Sequence, residues 1–282
     1  PGTGIECWIG YSTDPLANPN TWTNWVPASY NSGADPSNND EYYASLGAAQ
    51  GLAPGTYYFA SRFRYLSGPY TYGGFNSGPW DGNTNVSGVL TVNAIPAATM
   101  PLTEGFESGL GNWTLVNSGQ TNQWYVGTAT AKTGTQSAYV SNDGGVSNAY
   151  NLVATSVSHF YRDITFPAGT NPFNLKFSWK GGGEGTTTLF DYLRVYVVPT
   201  STVPVAGTQL IDGQVGTSYL LQTDWQDVTI ELDNATYAGQ TWRLVFTWKN
   251  DLSLGTQPPA AVDDIIVEEQ APATRTLSLT SV

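Results

Sequence analysis

The sequence holds one histidine and one cysteine, His159 and Cys7, and that scarcity decides most of the chemistry open to it. Acyl transfer by a Ser or Cys nucleophile normally needs a His partner. His159 stands in SVSHFYRDI, where alternation predicts a strand, and a strand histidine satisfied by local hydrogen bonds accounts for it. One Cys and one His in separate domains cannot build a catalytic zinc site. A lone Cys also excludes an intramolecular disulfide framework. Gly181-Gly182-Gly183-Glu184-Gly185 follows a strand pattern, but neither a helix nor a P-loop Lys succeeds it, so it reads as a hairpin turn. Glu184 and Asp191, at the two ends of an adjacent hairpin, are the pair to weigh for glycoside hydrolysis. The competing reading leaves Glu184 in a loop and puts Asp191 on a metal or on backbone amides. The expectation is that the chain is not an enzyme.

Two other constellations suit binding. Glu107 follows Phe106 at the first strand of the second half, and Asp263-Asp264 precede the last strand, IIV. First and last strands tend to be neighbours in jelly rolls, so these hard oxygen ligands would converge on one Ca²⁺, which takes six to eight oxygens at roughly 2.3–2.6 Å. Asn142-Asp143-Gly144-Gly145 adds Asp143 and carbonyls from a turn-prone loop. The alternative is that these carboxylates cap turns or face solvent. In the first half Trp22, Trp25, Tyr70, Tyr72, Phe75 and Trp80 fall in loops or short edges, with Asp81 and Asn83 beside them. Flat rings with neighbouring amides and carboxylates suit a sugar, or a protein partner for which Trp and Tyr supply hot spots. Trp22, Trp25, Tyr72, Trp80 and Asp81 are the ligand-binding candidates. Their competing role is to fill sandwich core and corners.

These residues must be positioned by β-structure. Of 282 residues, 13% are aromatic and only 11% charged, with 31 Gly and 17 Pro. Such a chain builds many short strands between tight turns. PGTYYFASRFRY places Tyr57, Phe59, Phe63 and Tyr65 on one face and Tyr58, Arg62 and Arg64 on the other. NLKFSWK, TWRLVFTWK and DVTIELD alternate as cleanly, the last ending in an Asp233-Asn234 turn. LFDYLRVYVV is apolar on both faces, as a strand covered on both sides should be. No stretch has a helical period. The fold expected is all-β: an immunoglobulin- or fibronectin type III-like sandwich over 1–93, a linker over 94–101, a larger jelly roll over 102–270, and the start of a following linker or domain over 271–282. A net charge of −12 with ten basic residues argues against nucleic-acid partners and against anionic lipid. No run reaches the roughly 20 apolar residues of a membrane span.

Five blocks in the second half, GFESGLGNWTLVN, SAYVSNDGGVSNAYN, FSWKGGGE, DYLRVYVVP and AVDDIIVE, resemble the choice-of-anchor J or cleaved-adhesin domains of Bacteroidetes surface proteins, relatives in architecture of MAM-type jelly rolls. WTNWVPASYN, NNDEYYASLG, LAPGTYYFASRFRY, YTYGGF and WDGNTNVSGVLTV are similar to a repeat of large secreted proteins of the same bacteria. The resemblance implies export by the type IX route, residence at the cell surface, a calcium-stabilised jelly roll, and adhesion to a cell-surface protein or glycan. Glu107 and Asp264 carry over as ion ligands, with Asp263 and Asp143 beside them. Further domains of the same chain are implied too. The expected function is therefore a non-catalytic adhesion module of a larger secreted bacterial protein. A carbohydrate-binding accessory region of a secreted enzyme and a structural stalk spacer are the alternatives.

Overall fold

The computed structural model describes residues 2–33, 40–46, 52–76 and 78–271. The segment 272–282, expected to open a further linker or domain, lies outside the described residues. The chain is all-β and divides into two compact units, Pro1–Ile95 and Pro96–Val282.

The first unit is organised by the strand Gly55–Tyr65, which pairs antiparallel with Ile5–Ser12, Thr71–Gly73 and Gly88–Val92. Asn24–Pro27 extends the sheet beyond Ile5–Ser12. Ser29–Tyr30 and Tyr42–Tyr43 make a separate two-stranded sheet. The period of two in Gly55–Tyr65 sends Phe63 toward Tyr42, which stacks in turn on Tyr30, and sends Phe59 toward Phe75. Among the described residues of this unit, the buried apolar side chains are Cys7, Pro19, Trp22 and Ala60. The unit packs through edge-to-face aromatic pairs more than through a deep core.

The second unit is a sandwich of two antiparallel sheets. One runs Thr114–Val116, Ser156–Thr165, Thr241–Asn250, Leu189–Pro199, Glu184–Gly185, with Gln214–Tyr219 also on Leu189–Pro199. The other runs Gln123–Gly127, Ser137–Ser141, Ala261–Glu269, Phe173–Gly181, Gln222–Leu232. Leu102–Glu104 joins the second sheet beside Ala261–Glu269, so first and last strands are neighbours as the jelly-roll reading expects. Ala98–Thr99, inside the stretch read as linker, is instead a short strand parallel to Ser156–Thr165. The alternating residues meet between the sheets. Phe160 and Phe246 stack at 4.8 Å, Phe177 meets Phe246 edge-on at 5.4 Å, and Trp113, Trp124 and Trp248 are enclosed around them.

Two details go beyond the sequence reading. Arg243 and Thr247, which alternation sets on the face opposite Trp242, Leu244, Phe246 and Trp248, are buried as well. The segment after Leu189–Pro199 folds back over that face, where Tyr196, Val198 and Val245 form a second small cluster with Tyr161 and Leu210. Arg243 survives burial by a two-pronged bond to Asp163, at 2.7 and 2.9 Å, and a third to the Thr202 carbonyl. The expected Asp233-Asn234 turn grows into one helical turn, Asn234–Tyr237, because the Asp233 carboxylate accepts the Thr236 N–H as an N-cap. No helix among the described residues is long and apolar enough to cross a membrane.

Candidate functional site

In the first unit the pairing register puts Trp8 opposite Arg62 and Arg62 opposite Tyr72, so the three side chains form a row across one sheet face. Glu6 and Arg64 pair one step along, and Gly10 and Trp25 one step the other way. Gly10 matters because it has no side chain. A Cβ there would stand 2.7 Å from Cε3 and Cζ3 of Trp25, so the indole lies flat against the bare backbone. The Arg62 guanidinium sits 4.2 Å from the ring centres of Trp25 and Tyr70 and 4.9 Å from that of Trp8. Arg64 leans on the same Trp8 and Tyr70, but it is ion-paired to Glu6.

Of the predicted ligand residues, the structure chains Trp22, Trp25 and Tyr72 together, with ring centres about 6 Å apart. Trp22 is the buried member, its indole N–H donating to the Ala17 carbonyl, and its own carbonyl accepts the indole N–H of Trp25. It braces the face from behind. Trp80 donates from its indole to Ser87. Asp81 accepts the backbone N–H groups of Asn83, Thr84 and Asn85 and the Thr84 hydroxyl, which pulls its carboxyl down to about 2. Both its oxygens are engaged in closing its own turn. Sequence reasoning missed Trp8 and Arg62. The signal for Arg62 was present, since alternation had already set it on the face opposite Phe59 and Phe63.

In the second unit Glu107, Asp263 and Asp264 reach one loop. Glu107 accepts the Thr135 and Gln136 N–H groups and the Thr135 hydroxyl, which hold its carboxyl below the usual range. Asp263, fully buried, accepts the N–H groups of Lys132, Thr133 and Asp264. Burial nevertheless raises its pKa. The Thr133 hydroxyl donates to Asp264 at 2.6 Å. The Lys132 ammonium turns to Asp227 instead. Three acceptor-only groups thus border one loop, but among the described residues the carboxylate oxygens gathered closely enough to share an ion are those of another cluster. Asp143 holds a loop of its own, bonding Ser141 and Ser147, and its carboxyl falls to about 2.

The carboxylates that crowd most closely are Glu184, Asp191 and Asp251, which each offer an oxygen within 4.8 Å of the others. Glu184 and Asp191 are cross-strand partners in one hairpin, not the far ends of one. Asp191 is enclosed, accepting the Tyr150 hydroxyl at 2.7 Å and the Asp251 N–H at 2.9 Å. Desolvation, and next the neighbouring charges, push Glu184 upward; burial does the same to Asp191. Glycosidase carboxyls stand about 5–5.5 Å apart when retaining and about 6.5–9.5 Å when inverting, with the sugar between them. Here both Asp191 oxygens are already taken, by the Tyr150 hydroxyl and the Asp251 N–H, and Gly255 closes over it so tightly that an added Cβ would lie 2.6 Å from its Oδ2. His159 is buried too. Its Nδ1 meets the Thr247 hydroxyl at 2.8 Å and its Nε2 the carbonyls of Val205 and Thr208 at 3.1 Å. Cys7, in the other unit, is buried, and desolvation raises its thiol to about 11. Neither is placed to activate a nucleophile.

No model of a known protein family matches the sequence, and no curated protein does. Solved structures do. The CBM22-1 xylan-binding domain from Paenibacillus barcinonensis Xyn10C is 13% identical with a TM-score of 0.38, over 63% of this chain and 99% of that one. The K1 cleaved adhesin domain of Lys-gingipain from Porphyromonas gingivalis W83 is 16% identical at 0.38, over 61% and 99%. A cyclase from Fischerella sp. is 15% identical at 0.39, over 61% and 98%. Binding domains and an enzyme stand together at the same distance, so these likenesses carry no argument about ligand or activity.

Proposed function

We propose that this chain is a non-catalytic interaction module of a larger secreted bacterial protein, acting at the cell surface in adhesion or attachment. The row Trp8–Arg62–Tyr72, flanked by Trp25 and Tyr70, supports this reading. Rings on a sheet face are what a ligand contact needs, whereas a passive spacer needs no such row. The enclosure of His159, Cys7 and Asp191 supports the non-catalytic half. The ligand is a cell-surface glycan or protein, and export by the type IX route follows from the resemblance to cleaved-adhesin domains. A glycan array, with adhesion to bacterial and host cells scored beside it, tests the reading. Trp25→Ala is expected to lower binding at least about tenfold, the loss of a hot-spot ring, with the melting midpoint of the second unit unmoved. Unchanged binding would overturn it.

Calcium belongs to the same proposal. Glu107, Asp263 and Asp264 would hold the ion against the 132–136 loop, with Asp143 a further ligand candidate in its own loop, and the ion would neutralise carboxylates that pair with no Lys or Arg among the described residues. A chelator is expected to lower the melting midpoint by several degrees and Ca²⁺ to restore it, since a ligand of the native state stabilises by mass action. A midpoint indifferent to both would remove calcium from the account.

A further inference from the structure

The basic side chains of the first unit are Arg62 and Arg64 alone, set against Glu6, Asp14, Asp35, Asp40, Glu41 and Asp81. In an acidic unit of this kind, both cations stand on the same sheet face, over the same two rings, Trp8 and Tyr70. Their fates differ. Arg64 is neutralised by Glu6 and touches the Tyr70 hydroxyl. Among the described residues, no acid stands beside Arg62. Its Nε is shielded from solvent and bonds to nothing. Stacking engages the face of a guanidinium, not its in-plane N–H donors. A structural arginine normally satisfies those donors with a carboxylate or carbonyls, as the more deeply buried Arg243 does in the second unit, although the Arg162 Nε there is also unpartnered.

From this we infer that the face binds a saccharide carrying a carboxylate, a uronate or sialate residue. Arg62 takes the carboxylate in a two-pronged bond, and Tyr72 beside it takes the apolar face of the sugar ring. The inference rests on the reading above that this face is the ligand contact, and it names the class of ligand. Charge complementarity selects the acid: Arg62 is the unpaired basic side chain of the unit among its described residues. The geometry selects the sugar. The row crosses the interior strands Ile5–Ser12 and Gly55–Tyr65, so it offers a sheet face and not an edge. An acidic peptide would find no backbone ladder there. The Trp25 indole is held between Gly10 and the Arg62 guanidinium, and Tyr72, the cross-strand neighbour of Arg62, offers the ring against which a pyranose fits.

The test is calorimetric titration of the intact chain with trigalacturonate and with 3′-sialyllactose, which separate the two sources of the carboxylate. Methyl-esterified trigalacturonate and lactose are their neutral counterparts. One acidic sugar is expected to bind at least about tenfold more tightly than its neutral form, and the preference should weaken with salt. Arg62→Gln is expected to erase the preference, and Arg62→Lys to restore only part of it, since an ammonium lacks the planar fork. Equal binding of acidic and neutral sugars would overturn the inference and leave a glycan-binding face standing. Binding of acidic peptides but no sugar would overturn the ligand class. Loss of adhesion in neither Trp25→Ala nor Arg62→Gln would overturn the face itself. The comparison of acid with ester on the unaltered chain decides the matter even if a variant fails to fold.

Discussion

Arg62 and Arg243 show two ways of holding a guanidinium in one chain: stacked without an acceptor, and stacked on Tyr161 with every prong engaged. The same contrast of context governs His159. Its residue type suggested chemistry, yet the Val205 and Thr208 carbonyls and the Thr247 hydroxyl enclose it, and burial lowers its pKa. Two carbonyls at Nε2 fix the neutral tautomer with its proton there. A lowered pKa means that the unfolded chain binds the proton more readily. The stabilisation is therefore complete above the ordinary histidine pKa, and it declines as pH falls from there toward the lower folded value. Urea unfolding between pH 7.5 and 5 should show this loss, and His159→Gln should flatten the slope while costing about 1–3 kcal/mol for the orphaned carbonyls. A slope unchanged in the variant would refute the assignment. None of this was legible in the sequence beyond the strand itself, because the covering carbonyls come from a segment some 46 and 49 residues further on.

Among elements, strands were readable and the surfaces that cover them were not. The alternation in NLKFSWK puts Leu175, Phe177 and Trp179 into the core, as it should. The same rule sets Arg243 and Thr247 on the opposite face but leaves their burial unread, since a period of two reports which residues share a face, never whether another segment lies over it. The hairpin Glu184–Gly185 with Leu189–Pro199 is a sharper case. Its glycines were legible as a turn, but the turn is Thr186–Thr188, and Gly183, at φ +88°, lets the chain pass against the Asp191 backbone. That approach brings Glu184 beside Asp191. Both carboxyls are raised, so the folded state holds their protons more tightly, and stability is lost as pH rises through the gap between unfolded and folded values. Glu184→Gln should accordingly raise the melting midpoint at pH 7 and leave it nearly unchanged at pH 4. A lower midpoint at pH 7 would show that Glu184 contributes a bond outweighing the repulsion.

At the scale of the molecule the two units differ in how they cohere. The second encloses four tryptophans and a ring stack between sheets, while the first relies on half-buried ring edges and one flat indole. Composition announced aromatics in both without saying which would end inside. Their loops share another device: Asp81, Glu107 and Asp143 each draw nearby N–H and hydroxyl groups onto one carboxylate. Those carboxyls are held below their ordinary values, two of them at about 2, so what they contribute is intact above the usual carboxylate range and vanishes as pH falls through the folded values. The fastenings are ionic, and the lone thiol of Cys7 takes no part in them. Reductant should leave the melting curve untouched, whereas acidification from pH 4 to 2 should loosen these loops and expose them to pepsin; a midpoint that shifts with dithiothreitol would contradict this. Strong acid, not thiol chemistry, is thus the agent that unlaces this protein, which gives it equal standing in reducing, anaerobic surroundings and in air.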